Sequence, residues 1–472
     1  MMRNYVVKCV YALVMLMLLY DDAASIHGEV KKCLHKERHA LLTFKHGIHD
    51  DVGMLSTWND DDDCCKWQGI TCSNQTGHVF HLNFRASDSQ YLIGQPNIST
   101  LIDLQELEHL DLSGNYFLGN SISEHIGLFS KLRYLNLSDA GFGGNIPYQL
   151  GNLSQLQYLD LSHNFFYGLG GAIPPQLGNL THLRYMDLSY NDLGGEIPSQ
   201  LKHLGQLQYL GLSGETELSG AIPFESGDLP LLHTLKLRGD FVLKTKDAEW
   251  VSNLSFLNTL DLTSLSLGNS HQWLRMIRKH IPNLSELRLS NCSLFDNDVQ
   301  FLFDIHSYNS TTSSLTILDL SDNMLTSSTF QLLSNFSSNL REFYLSNNNI
   351  VLLHPHYPSF PSLVILDLSS CSLTETSFPM SSTSMVNSSS SLLVLDLNSN
   401  LLTSSNIFNW IFNFTANLHN LDLGGNLLEG PIPIGFAEAM NSLEDLDLSN
   451  NKLQGDIPAF FGNICTLQTL VI

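Results

Sequence analysis

Apolar residues recur along this chain in a fixed frame, LxxLxLxxN. It is seen in LEHLDLSGN (107–115), LQYLDLSHN (156–164), LRYMDLSYN (183–191), LTILDLSDN (315–323) and LEDLDLSNN (443–451). The fourth position of the frame falls at residues 82, 110, 135, 159, 186, 210, 235, 260, 287, 318, 343, 366, 395, 421, 446 and 470. Residues 78–472 therefore hold about sixteen units, the first degenerate and the last incomplete. Within LxL, alternate residues face opposite sides of a strand, so the leucines turn inward and the residues between them outward. One such strand cannot bury its apolar side alone, and the pattern predicts units stacked around a shared core. The ninth position holds Asn115, Asn164, Asn191, Asn323, Asn348, Asn400, Asn426 and Asn451, whose amides can bond backbone groups that each tight turn leaves unpaired. Cys292 and Cys371 occupy the same position and read as buried, reduced fillers.

Six units continue as GxIP, from Gly144 to Pro147, Gly171 to Pro174, Gly195 to Pro198, Gly220 to Pro223, Gly430 to Pro433 and Gly455 to Pro458. A glycine, an apolar residue and a proline suit a short second strand and its turn. The units between about 235 and 397 lack GxIP and vary in length. Ahead of the array, CLHKERHALLTFKHGI (33–48) predicts an amphipathic helix with Leu41, Leu42, Phe44 and Ile48 along one side. The apolar end of a solenoid needs a cover, which assigns residues 33–77 to a cap. WNDDDDCCKWQGITC (58–72) follows, with four aspartates and three cysteines. A metal site, a redox centre and a covalent staple are all open at this point.

Composition narrows the choice. The 23 basic and 46 acidic residues give a formal charge of -23, which repels nucleic acid and anionic membrane surfaces. With 15% charged and 43% hydrophobic residues the chain is not a disordered acidic tail. Residues 1–24 carry Arg3 and Lys8 around an apolar run ending near Leu19, then Ala23 and Ala24, the pattern of a secretory signal peptide. The run is short of the roughly 20 residues of a membrane-spanning helix, and no longer apolar segment follows it. Twelve Asn-x-Ser/Thr sequons fit an extracellular glycoprotein: Asn74, Asn97, Asn136, Asn152, Asn179, Asn253, Asn283, Asn291, Asn309, Asn335, Asn387 and Asn413. Of eight cysteines, Cys9 leaves with the signal peptide, and secretion favours oxidation of the neighbouring ones. The adjacent Cys64 and Cys65 also lack the CxxC spacing of zinc sites. No EF-hand spacing follows the aspartates, which read as a solvated loop.

No enzyme signature is present: GxSxG, the Walker loop, HExxH and a strand-borne GxGxxG are all missing. His35 and His39 have ligand spacing on the cap helix but no third ligand, and His354 and His356 fare no better. The recurring aspartates, such as Asp111, Asp160, Asp187 and Asp396, come from one repeat position and read as the outward residue of each strand. The chain is expected to be no enzyme, with no metal and no cofactor. Four successive units place Tyr134, Tyr158, Tyr185 and Tyr209 in one outward column, beside Arg133, Gln157, Arg184 and Gln208. Adjacent strands lie ~4.8 Å apart, so these rings form a stacked stripe. Tyr and Arg are frequent binding hot spots. Arg133, Tyr134, Tyr158, Arg184, Tyr185 and Tyr209 are the candidate ligand-binding set, with packing between units as the rival reading.

The composite LxxLxLSxNxLxGxIP resembles the plant-type leucine-rich repeat of extracellular receptor kinases, receptor-like proteins and polygalacturonase-inhibiting proteins. EWVSNLSFLNTLDL and HQWLRMIRKHIPNLSELRLSNCSL are similar to the matching region of immune receptor-like proteins that perceive fungal xylanase, with Trp250 and Trp273 as core fillers on the convex side. The resemblance implies an α/β repeat solenoid: a right-handed superhelix with a parallel concave β-sheet. It also implies an N-terminal helical cap stapled by Cys33–Cys64 and Cys65–Cys72. It further implies an extracellular recognition domain at the plasma membrane, probing a protein or peptide ligand and signalling in defence through a co-receptor kinase. LQTLVI ends inside a repeat, so a truncated receptor, a secreted or apoplastic form, or a soluble decoy unable to dock a co-receptor is expected. A secreted inhibitor of a microbial wall-degrading enzyme is the alternative.

Overall fold

The computed structural model describes residues 32–472 apart from 61–62, 88, 215, 269–270, 282, 303–313, 330–338, 352–359, 378–390, 404–405, 412–416, 434–435, 437–439, 441, 456–460 and 463. The expected signal segment lies outside these residues, as do His354, His356, Asn309, Asn335, Asn387 and Asn413.

Each LxL core forms a short strand, and sixteen of these, from Val79–Asn83 to Thr469–Val471, pair in parallel, one per sequence unit. Neighbours meet in register, leucine beside leucine: Leu110 opposes Leu135, Leu159 opposes Met186, and Leu446 opposes Leu470. Those inward residues are buried along the array, with Leu366 and Leu470 only partly so. Each fully buried Leu stabilises by about 1.5–3 kcal/mol relative to exposure, and the stacked units share one continuous core.

The asparagine ladder explains why the frame ends in N. Asn115 donates to the carbonyls of Phe84 and Leu112, both at 2.8 Å, and accepts from the amide of Leu92 at 2.7 Å. It thus ties its own unit to the one before. Cys292 and Cys371 are buried free thiols whose Sγ atoms reach Leu262 and Leu345 carbonyls at 3.2 Å, so they fill the same slot with fewer bonds. Burial pushes both thiols up to about 12, which makes them inert.

On one lateral edge the GxIP region makes a second, five-stranded parallel sheet: Gly144–Asn145, Leu169–Ala172, Asp192–Glu196, Glu217–Gly220 and Asp240–Phe241. Pro147, Pro174 and Pro198 then cap single 3-10 turns on the convex side. Further along, helices α2 (Thr245–Ser252), α3 (His271–His280) and α4 (Asp296–Leu302) replace those turns. Trp250 and Trp273 are buried there as core fillers. Trp250 packs 4.6 Å from Phe224 and donates to the Asp228 carbonyl at 3.1 Å. No helix among the described residues is long and apolar enough to cross a membrane.

The cap begins with helix α1 (His35–Lys45), which buries Leu41 and Phe44. The helix is shorter than the sequence pattern suggested: Ile48 leaves it and pairs in a two-residue strand, Ile48–His49, against Ile93–Gly94. Disulfides join Cys33 to Cys64 and Cys65 to Cys72, with Cα separations of 5.5 and 5.3 Å. Trp58 stacks on Trp67 and meets Phe84 of the first unit edge-on, each at 5.2 Å. Buried Glu37 of α1 bonds His78 Nδ1 at 2.7 Å and accepts from the Val79 amide at 2.8 Å, so the helix is pinned to the first strand. The aspartate run is only partly a solvated loop, because Asp63 accepts from the amides of Cys33 and Cys65 and caps the turn at Cys64.

Candidate ligand-binding face

Parallel pairing in register places the third residue of each frame in one column on the concave sheet. His81 opposes His109, His109 opposes Tyr134, and Tyr134, Tyr158, Tyr185 and Tyr209 follow in order. The side chains form a continuous six-ring stack with successive centroids 4.0, 4.1, 4.3, 4.3 and 4.3 Å apart. The rings lie nearly parallel and are half-buried. Sequence reasoning found the tyrosines but missed His81 and His109. Both sit at the same frame position, so the register itself was the signal.

The neighbouring column supplies carboxylates. Tyr134 donates to Asp111 at 3.3 Å, Tyr158 to Asp160 at 3.2 Å, and Tyr185 and Tyr209 to Asp187 at 3.3 and 2.9 Å. Each of these aspartates also accepts from the amide two residues on, as Asp160 does from Ser162 at 3.0 Å. Burial and the adjacent carboxylates push the phenols of Tyr158, Tyr185 and Tyr209 well above their ordinary range, so they stay protonated donors. Burial, reinforced by His81, pulls His109 down to about 4, so its imidazole is neutral above that, and burial lowers His81 as well. Gly211 breaks the carboxylate column, because a Cβ there would sit 2.4 Å from Asp187 Oδ1. Beyond it Lys236 brings its ammonium 5.6 Å over the Tyr209 ring, a cation–π contact that ends the stack.

Arg133 and Arg184 are exposed beside the ladder, and Arg133 pairs with Glu108 at 3.4 Å. The structure therefore brings all six candidate residues onto one surface. Two cavities, of about 500 and 440 Å³, open elsewhere, one at Thr316 and Arg341 and the other at Arg238 and Phe241. A ligand on the ladder meets an open face.

The other candidates separate cleanly. His35 and His39 are exposed on α1. Among the described residues, Cys33, Cys64 and Cys65 are the one cluster with metal-binding spacing, and their sulfurs are taken up in disulfides. Asn74, Asn97, Asn152, Asn179, Asn253, Asn283 and Asn291 are exposed, in keeping with glycan acceptance. Asn136 is a correction: it is 6% exposed. It is an outward strand residue, inside the ladder, and its amide bonds Tyr134 and Ser138.

Two family models match, the leucine rich repeat N-terminal domain at residues 34–73 and the Leucine Rich Repeat at 106–128, 131–153, 155–180, 182–204, 314–336, 339–360 and 442–464. The chain is 43% identical over 144 residues to receptor-like protein EIX2 of Solanum lycopersicum, covering 28% of this chain and 14% of that relative. It is 29% identical over 347 residues to receptor-like protein EIX1 of the same plant, covering 71% and 26%. The chain thus spans a minor part of either relative. Among solved structures, the ectodomain of the Arabidopsis receptor kinase HAESA, determined with a peptide hormone, superposes with a TM-score of 0.55 at 24% identity, covering 92% of this chain and 64% of that one.

Proposed function

We propose that this chain, a leucine-rich-repeat protein similar to plant receptor-like proteins, is a non-enzymatic extracellular recognition domain. Its concave face would bind a protein or peptide ligand, with the signal passed in defence to a partner kinase. The six-ring ladder carries this reading. Packing alone needs an apolar column, whereas this one ends in a row of protonated hydroxyls beside exposed Arg133 and Arg184. Half-exposed Tyr and Arg in one contiguous patch are the groups that dominate protein interfaces.

The test is surface plasmon resonance of the glycoprotein against a fungal xylanase and against random peptides displayed on phage. The Tyr158→Ala/Tyr185→Ala variant should weaken any binder recovered by ~2 kcal/mol or more per residue. Unchanged affinity in a folded double variant assigns the ladder to packing. Inhibition of a microbial polygalacturonase at equimolar ratio, lost in the same variant, would favour the secreted-inhibitor reading instead.

A further inference from the structure

The fourth unit of the array, at residues 155–180, carries an insertion that the core does not require. Leu159 to Met186 spans 27 positions, whereas Leu135 to Leu159 and Met186 to Leu210 span 24 each. The extra residues form one 3-10 turn, Phe165–Tyr167, closed by Gly168 at φ 66°. Tyr167 folds back over the two preceding units. Its hydroxyl donates to Tyr116 Oη at 2.6 Å, and its ring lies over Gly119 and Gly141, where an added Cβ would come within 2.9 and 3.3 Å. With Tyr167 as the anchor, Phe166 is held 82% exposed, its ring 4.1 Å from Phe165.

An ordered insertion that holds an aromatic ring in water forgoes the stabilisation that burial would bring. Its surroundings are apolar too. Tyr91, Tyr116, Leu118 and Tyr190 are exposed on the same edge, where the chain leaves each concave strand. The Tyr116 amide bonds the Leu92 carbonyl at 2.9 Å, Tyr116 meets Tyr167 edge-on at 5.7 Å, and Tyr190 stacks on His163 at 4.3 Å, so aromatic residues recur along this edge in successive units. Contiguous exposed apolar patches of this kind mark interaction sites.

Charge selects the partner. Between residues 85 and 201 the basic residues are Arg85, Lys131, Arg133 and Arg184; the last three lie at or just before the entry of a strand, and Arg85 alone follows an exit, in the first unit. The exit edge carries exposed Asp139, Asp192 and Glu196 instead. Of the exposed sequons of these units, Asn152 and Asn179 end convex turns on the entry side, while Asn97 caps the start of the turn at Ile98–Asp103. We infer that this edge is a docking surface for a protein partner whose contacting segment is basic and carries apolar side chains. It is separate from the concave ladder. An anionic lipid surface would be repelled by the same carboxylates.

The experiment uses the intact glycoprotein at physiological salt and two synthetic peptides. One alternates lysine with tryptophan and leucine; the other has glutamate at every lysine. The lysine peptide should bind, Phe166→Ser should weaken it about tenfold or more, and Asp192→Lys should weaken it as well. Tyr158→Ala should leave it unchanged. Because Phe166 is a surface ring, the serine variant should melt like the parent, and Phe166→Leu should retain part of the affinity. Binding that survives Phe166→Ser is adsorption to net charge and overturns the proposal. So does equal binding of the glutamate peptide. Cello-oligosaccharide binding that depends on Phe166, without peptide binding, would make the edge a glycan platform and also overturn it.

Discussion

Removing the amide of Asn164 should uncouple two units of the array. Asn164 is 1% exposed. Its Nδ2 donates to the Leu137 carbonyl of the preceding unit at 2.9 Å and to Leu161 at 3.0 Å, while Oδ1 accepts from the amides of Ala140 at 3.1 Å and Phe142 at 2.9 Å. Asn164→Ala leaves two buried N–H donors and the Leu137 carbonyl without that partner, whereas the Leu161 carbonyl still accepts from Asn191 Nδ2 at 2.9 Å. Each buried orphan costs about 1–3 kcal/mol, and water entering the small gap recovers part of it. A net loss of about 3–5 kcal/mol follows, concentrated at one interface because units contact only their neighbours. Hydrogen–deuterium exchange should show faster exchange of the amides of Ala140 and Phe142, with the distant units near Leu421 unaffected. Asn164→Cys should fall between parent and alanine, since Cys292 fills the same slot with its thiol against the Leu262 carbonyl at 3.2 Å. A cost under about 1 kcal/mol, or exchange spread evenly along the chain, would refute the ladder argument.

Glu37→Ala should detach the cap helix by stranding the Val79 amide and His78, at a cost of about 3–5 kcal/mol, read as limited proteolysis after α1. Burial and the facing Asp367, Asp422 and Asp447 raise Asp396 to about 6 from the ordinary 3.8, so the folded state holds the extra proton between those values and stability falls as pH rises through that window. Asp396→Asn should therefore gain about 1–2 kcal/mol at pH 7, after allowance for solvent screening, and nothing near pH 4; melting curves at the two pH values check this. Glycopeptide mass spectrometry should find glycan on Asn152, Asn179, Asn253 and Asn283 and none on Asn136, whose amide is bonded inside the ladder.

The repeat made most of the fold legible. Sixteen frames became sixteen strands because a two-residue side-chain period leaves one way to bury the leucines, and lateral pairing then sets the register. The cap staple was legible through a resemblance, since cysteine positions alone do not specify connectivity. What sequence reading missed depends on neighbours distant in the chain. Asp63 looked solvated until the fold brought the Cys33 amide to 2.8 Å. Asn136 matched a glycosylation motif, yet the same residue is an outward strand position wedged between stacked rows. His81 and His109 were hidden because their units depart from the tyrosine pattern, although the register places them in the same column.

The places where the array changes also bear on where binding is to be sought. The aromatic ladder stops at Tyr209, since the next strand presents Thr234 and Lys236. The second sheet stops at Asp240–Phe241, and the convex 3-10 turns give way to α2 at Thr245. Three independent features thus end within about 35 residues of one another, although the leucine frame continues without a break. Core packing does not demand this, because the later units still bury most of their inward leucines with different outer residues. The stacked rings of the concave face and the Phe166 insertion therefore belong to one block of units, each facing a different way, although exposed apolar residues continue along later exits as Phe295, Met324, Val351 and Leu401. Two surfaces on a rigid block can be occupied together. A variant at Tyr158 and one at Phe166 should therefore affect their own ligands independently, within the few tenths of a kcal/mol expected for separated sites.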